Sequence, residues 1–438
     1  MKLPPSPKAS PVSGHFKPFR KDPIRFLLNT AADQGDISLF KIFSKKIYFI
    51  NHPDLIRQVM QKNHKNYHKS PSYKQIEELT GQGILTTDGE KWLMQRKLYQ
   101  PAFSYESIMS YSGIVTRQTD RMLDEWKAGE EINISREMMK ITLGVISESL
   151  FSRQIEYNTV LYDAIEYTLK WINDRAMHYP LVAPASWPTK KNKTFRHYVA
   201  ELDKVIYEII EHREAESEKP DDLLSRFMYA GDDLPKLSPK ELRDELMTIF
   251  LAGHETSANV LMWTLHCLSL YPEVEQKLYE EVHSLGTTEL DHTHLRELNY
   301  TNMVLNEVMR LFPPVWHLGR MNLEDDTLED YPLPKGSHVR ISPLAIHRHP
   351  DFWEEPEKFD PERFSEERSK DRHKFCFIPF GAGPRLCAGR NFAMMEMVLI
   401  LAKLSLRYKI SGNYQPVEMA PYLTLRPVND IEVKFEER

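Results

Sequence analysis

The stretch "FGAGPRLCAG", residues 380–389, sets one cysteine among three glycines, a proline and an arginine. It stands directly before "RNFAMMEMVLILAKLSL", where Phe392, Met395, Leu399, Ala402 and Leu406 form an apolar stripe at helical spacing. Cys387 therefore lies near a helix N-terminus, where unpaired N–H groups and the positive end of the dipole favour a thiolate. Gly381, Gly383 and Gly389 allow sharp turns and a close approach to a flat ligand, and Arg385 can meet an anion at that ligand's edge. A thiolate, a planar surface and an edge anion describe haem. The loop alone leaves open a buried or reactive thiol of no such role.

Working outward, the chain has 438 residues, of which 41% are hydrophobic and 27% charged, an ordinary globular composition. No Gly/Ser-rich, Pro-rich or single-sign linker divides it, and no repeat of fixed period is present. One unit over residues 1–438 is expected, with a mixed strand and helix part to about residue 60, a helical body over about 61–312, and a small-sheet region carrying the cysteine loop over about 313–438. The formal charge of −6 argues against a nucleic-acid binder. With Cys267, Cys376 and Cys387 as the only cysteines, no disulfide framework is expected, which places the chain in a reducing cytoplasm. The N-terminal stretch lacks the apolar core of a signal or anchor, and "VLMWTLHCLSL", residues 260–270, is too short to span a bilayer, so a soluble protein is expected.

Several patterns close as routes to function. "GQGILT" at 81–86 and "GAGPRL" at 381–386 lack the third glycine of a dinucleotide site. "HETSA" at 254–258 lacks the second histidine of a zinc-protease helix. His64 with His68, and His292 with His294, read as solvated surface. "DISLFKIF" and "KIYFIN" predict a strand pair, residues 53–312 are dominated by helical spacing, and "SHVRIS", "PYLTLRP" and "DIEVKF" predict short strands near the end.

The ten-residue loop matches F-x-x-G-x-R-x-C-x-G at Phe380, Gly383, Arg385, Cys387 and Gly389, and so resembles the haem-binding loop of the cytochromes P450. That resemblance implies a mainly α fold with small β-sheets (α+β), with haem held between a long helix and the helix after Cys387, its iron bound by Cys387. Three further motifs extend it. "WLMQR" puts Trp92 and Arg96 on one helix face, two donors that the resemblance assigns to a haem propionate; Arg320 in "HLGRMN" matches another propionate position. "NEVMR" pairs Glu307 with Arg310 at i,i+3, and Arg363 of "DPERF" joins them in a network supporting the haem loop. "FLAGHETSANVL", in a helix expected over about 239–270, presents Ala252, Gly253, Glu255 and Thr256. There a threonine hydroxyl can take a main-chain carbonyl, loosen the turn and guide protons with Glu255. Phe380, Gly381, Gly389 and Ala252 complete the expected haem contacts.

The resemblance implies a haem-thiolate monooxygenase, with haem b (iron protoporphyrin IX) as cofactor, O2 as co-substrate and NAD(P)H consumed through a separate redox partner, the thiolate favouring O–O cleavage. No flavin or iron–sulfur site is legible, so a ferredoxin or flavodoxin with its reductase is expected, docking where Lys91, Lys97 and Arg390 can form a basic footprint. A peroxide-driven peroxygenase and a haem sensor or carrier stay open. Leu251, Ala252, Val315, Trp316 and the region near Tyr73 to Leu85 are candidate pocket residues, mostly apolar, which suits a lipophilic small molecule. A fatty acid or long-chain lipid comes first and a carotenoid or terpenoid second, with Lys45, Lys46 and Tyr48 as candidate holders of a fatty-acid carboxylate. A monomer is expected.

Overall fold

Ser238 and Pro239 start the element that organises the molecule. In the computed structural model, which describes residues 2–155, 158–178, 181–229, 236–412 and 414–438, the Ser238 hydroxyl accepts from the Glu241 N–H at 3.3 Å and the Glu241 carboxylate accepts from the Ser238 N–H at 3.1 Å. This reciprocal cap, with Pro239 in the first turn, launches a helix over Pro239–Leu270, 32 residues long and about 48 Å from end to end. Pro272 follows its end and starts the next helix.

Most of this central helix is buried, because other helices cover it along its length. The helix Ile134–Phe151 packs closely on it where Gly253 meets Ile146; a Cβ at Gly253 would lie 2.1 Å from the Ile146 Cδ1. The helices Asn299–Leu311 and Arg390–Arg407 pack against it and against one another. The final helix spans the stretch whose apolar residues recur at helical spacing, while the strands Tyr67–Lys69 and Glu131–Asn133 interrupt the span expected to be helical.

A five-stranded sheet stands beside this body, in the order Ile37–Ile42, Lys45–Ile50, His338–Ile341, Leu318–Asn322 and Tyr67–Lys69. The strands from Lys45 and His338 run parallel and the other pairs antiparallel. The sheet thereby joins the beginning of the chain to the segment just after the Glu307–Arg310 helix. A second sheet, Glu131–Asn133 with Glu432–Glu437 and Tyr408–Ser411, ties the C-terminus to the helical body. Tyr48 turns into the core and donates its hydroxyl to the Pro332 carbonyl at 3.3 Å, whereas Lys45 and Lys46 are exposed. Among the described residues, no helix is long and apolar enough to cross a membrane.

Candidate active site

The cysteine loop is built by backbone constraints. Gly381 and Gly383 have φ of +74° and +67°, a region side chains rarely tolerate. A Cβ at Gly383 would lie 1.9 Å from the Met60 carbonyl oxygen, so this glycine lets the loop close onto the turn Gln58–Lys62, a protein contact instead of the expected approach to a ligand. The Gly381 N–H donates to Ile378 and the Cys387 N–H to Phe380, both at 3.0 Å. Gly389 caps the helix Arg390–Arg407 beside the Phe103 ring, and Phe380 packs on the core with the Arg390 guanidinium 6.0 Å from its ring centre.

Of the three cysteines only Cys387 is accessible; Cys267 and Cys376 are buried, and burial pushes both thiols up, that of Cys376 to about 12. Cys387 is exposed, yet enough chain surrounds it for desolvation to act on its thiol. Burial pushes its thiol up too, but the Gly389 N–H and the charges of Arg96 and Arg390 oppose that rise.

A group of cations gathers beside the loop. Trp92 is buried on the helix Gly89–Tyr99, and the Arg385 guanidinium lies over its ring, 4.1 Å from the centre. Arg385 also pairs with Asp88 and donates to the Thr87 carbonyl at 2.8 Å. Arg320 is buried and donates to the Gly319 carbonyl. Lys69, which no motif singled out, donates to the carbonyls of Ile84 and Thr87 at 3.0 and 2.9 Å. Burial, with Arg385 beside it, pulls its ammonium down to about 6. The Arg96 guanidinium has no hydrogen bond or ion pair among the described residues. Three guanidinium cations, of Arg96, Arg320 and Arg385, stand here beside the readily deprotonated Lys69 with one bonded carboxylate, Asp88, since nearby Glu245 is occupied by the Tyr99 hydroxyl and the Ile84 N–H. An accessible cysteine in a glycine-framed loop and a cation surplus beside it fit haem, whose two propionates would answer that surplus.

On the central helix Ala252 is exposed and Thr256 half-exposed, while Leu251, His254, Glu255, Ser257 and Ala258 around them are buried. The Thr256 hydroxyl donates to the Ala252 carbonyl at 2.9 Å, the i−4 bond anticipated from sequence, yet the helix remains α-helical throughout. Ser257 lies beside the Glu396 carboxyl on the helix after Cys387. Burial pushes that carboxyl up to about 8, with Ser257 opposing the rise, so it is protonated at neutral pH. Glu255 is not a free acid: it is 3% exposed, accepts from Arg426 Nε and Nη2 at 3.1 and 2.8 Å, and accepts from the Thr424 hydroxyl. Arg426 also pairs with Glu166, and these two carboxylates raise its already high pKa despite burial. Sequence reasoning missed Arg426, Thr424 and Glu166, which come from a distant strand and helix.

Ala252, Glu255 and Thr256 open onto a cavity otherwise lined mainly by apolar side chains, among them Leu79, Leu169, Ile172, Leu251 and Val315. The stretch Tyr73 to Leu85 lines it with Tyr73, Gln75, Ile76, Leu79, Thr80 and Leu85. Trp316 does not. It is 1% exposed, packs with Phe19, Phe40 and Phe49, and donates its indole N–H to the Tyr422 carbonyl at 2.9 Å. In this extended stretch successive side chains point opposite ways, so Val315 and His317 face the cavity and Trp316 the core.

The Glu307, Arg310 and Arg363 side chains are buried and joined. Arg310 pairs with Glu307 at 2.7 and 2.8 Å, and Arg363 with Glu307 at 3.1 Å. Their other N–H groups reach the carbonyls of Glu354, Glu355, Pro356 and Lys358, while Arg310 Nη1 also reaches that of His347 at 3.0 Å. The pair is thus satisfied on all sides, as a buried pair requires. Lys91, expected in a basic footprint, is instead paired with Glu241 at 3.3 Å; Lys97 and Arg390 are exposed.

Comparison with known proteins agrees with this architecture. The family described as "Cytochrome P450" matches residues 4–435. Cyclooctatin synthase of Streptomyces melanosporofaciens is 31% identical, covering 92% of this chain and 89% of the relative. Pentalenene oxygenase of Streptomyces avermitilis is 28% identical over 95% and 94% of the two chains. A cytokinin hydroxylase of Arabidopsis thaliana is 32% identical over 81% and 71%. With an accessible Cys387 in its glycine loop, a cation group beside it and a family match over nearly its whole length, the chain belongs to the cytochrome P450 family and is an oxidoreductase, a monooxygenase that uses haem and O2.

Proposed function

We propose that the enzyme hydroxylates an isoprenoid-type lipophilic molecule. The observation that carries this reading is the apolar cavity over Ala252 and Thr256; the names of the two Streptomyces relatives turn the order of choice from fatty acids towards terpenoids. Cys387 would bind the iron of haem, and Trp92, Arg96, Arg320 and Arg385, with Lys69 added, would hold its propionates. When bound, haem would supply an electron-rich, thiolate-ligated iron for dioxygen chemistry. Thr256 holds a proton-bearing water at its hydroxyl on the cavity wall. Glu255 passes protons toward it from the Arg426–Glu166 side, where a second, polar cavity also reaches Glu255. Glu307, Arg310 and Arg363 hold the loop in place and do not touch substrate.

Electrons come from a ferredoxin or flavodoxin with an NAD(P)H-dependent reductase, docking over Lys97 and Arg390. The Thr256–Glu255 pair favours this over a peroxide-driven reaction, which needs no guided proton supply. The test is product formation from a terpenoid panel with such a donor and NAD(P)H, against peroxide alone. Equal or greater turnover with peroxide alone overturns the reading.

A further inference from the structure

At one end of the apolar cavity, His317 lines the wall and Arg340 donates to its Nδ1 at 3.0 Å. A guanidinium has no acceptor, so Nδ1 must be bare. Burial, with Arg340 beside it, holds the imidazole well below its usual pKa, so the ring is neutral and its proton sits on Nε2. His317 therefore presents a fixed N–H donor.

Arg340 itself is anomalous. It lies on the strand His338–Ile341, opposite Gly319 on one neighbouring strand and Phe49 on the other, with the Phe19 ring 5.9 Å from its guanidinium carbon. Val339 and Ile341 on either side face the opposite, apolar cluster, so Arg340 points to the same side as His317. Burial pulls its pKa down to about 10, and Tyr73, a lining residue, is the one group opposing that fall. By contrast Arg426 meets Glu166 and Glu255, and Arg310 and Arg363 meet Glu307. Among the described residues Arg340 has no carboxylate partner, only a histidine that cannot carry negative charge.

We infer that this end of the cavity recognises a carboxylate: the substrate is a lipophilic acid whose head meets the His317 Nε2–H and the Arg340 charge while its hydrocarbon part lies along the apolar wall. A carboxylate here supplies the counter-charge and accepts both donors, which an alcohol or ester cannot do with equal strength. The inference rests on the cavity's being the substrate site, and it narrows the isoprenoid reading to acids.

The experiment is calorimetric titration of the holoenzyme with matched pairs: farnesoic acid against farnesol, and hexadecanoic acid against its methyl ester. At least one acid should bind about tenfold or more tightly than its neutral counterpart. Arg340→Met should remove most of that advantage with little change for the neutral partner, and Arg340→Lys should restore part of it. If Arg340→Met does not fold, His317→Phe gives the same reading. Equal binding of acid and neutral forms, no binding of either pair, or an acid preference that survives these changes overturns the inference. Failure of the monooxygenase reading would show separately, as lack of oxygenated product despite selective binding.

Discussion

The Ile378 N–H donates to His347 Nε2 at 2.8 Å, and Arg310 donates to the carbonyl of the same histidine at 3.0 Å. Ile378 in turn accepts from the Gly381 N–H, three residues on, at the entrance of the cysteine loop. His347 is thus the hinge through which the Glu307–Arg310–Arg363 group fixes the segment that presents Cys387.

Arg310→Ala should therefore cost stability and cofactor retention more than turnover per bound haem. It leaves Glu307 buried with one partner fewer, a loss of about 3–5 kcal/mol. Chemical unfolding and the haem-to-protein ratio measure this; unchanged values for both would remove the supporting role.

His347 also sets a pH dependence. Burial, with Arg310 and Arg348 beside it, lowers its pKa from 6.5 to about 3 in the folded chain. Between those values the unfolded chain binds the extra proton. The stabilising contribution is therefore complete above about pH 6.5 and is lost progressively as pH falls toward 3. His347→Gln, whose amide oxygen can still accept from Ile378, should flatten this fall by about 2 kcal/mol between pH 6.5 and 5. Urea unfolding at the two pH values reads it, and an identical slope in the variant would contradict the assignment.

Thr256→Ala should leave folding and cofactor binding nearly intact, at about 1–2 kcal/mol in stability. Cofactor oxidation should separate from product formation, with peroxide or extra water released. Positioned proton transfer is worth about 10²–10⁴-fold in a step, so function suffers before structure does. NAD(P)H consumed, product and peroxide are measured together; unchanged coupling would remove this hydroxyl from the proton path.

Arg426→Met tests the relay behind it. Losing the guanidinium frees Glu255 from its ion pair and should slow turnover and enlarge the solvent isotope effect, as should Glu255→Gln, with less uncoupling than Thr256→Ala. If both variants keep the parent's isotope effect and rate, protons enter by another path.

The sequence made legible what rests on local patterns. The glycine-framed cysteine, the apolar central helix and the i,i+3 pair Glu307–Arg310 all declare themselves within short stretches. Partners brought in over long separations did not. Asp88 joins Arg385 from 297 positions away, and Arg426 reaches Glu255 across 171. Trp316 failed for a different reason: whether it or its neighbours face the cavity depends on a one-residue parity that the segment's apolar composition does not disclose. Gly253 and Gly383 were visible as glycines, but that their small size serves contacts with Ile146 and Met60 needed the packed chain.

The account stands on Cys387 as the iron ligand, and the absorbance spectrum of the reduced, carbon monoxide-treated holoenzyme tests this most directly. The parent should show the thiolate-ligated signature; Cys387→Ser should lose it, either with poor cofactor retention or with haem bound without thiolate. A Cys387→Ser protein that keeps the parent's spectrum would contradict the assignment, since Cys267 and Cys376 are both buried.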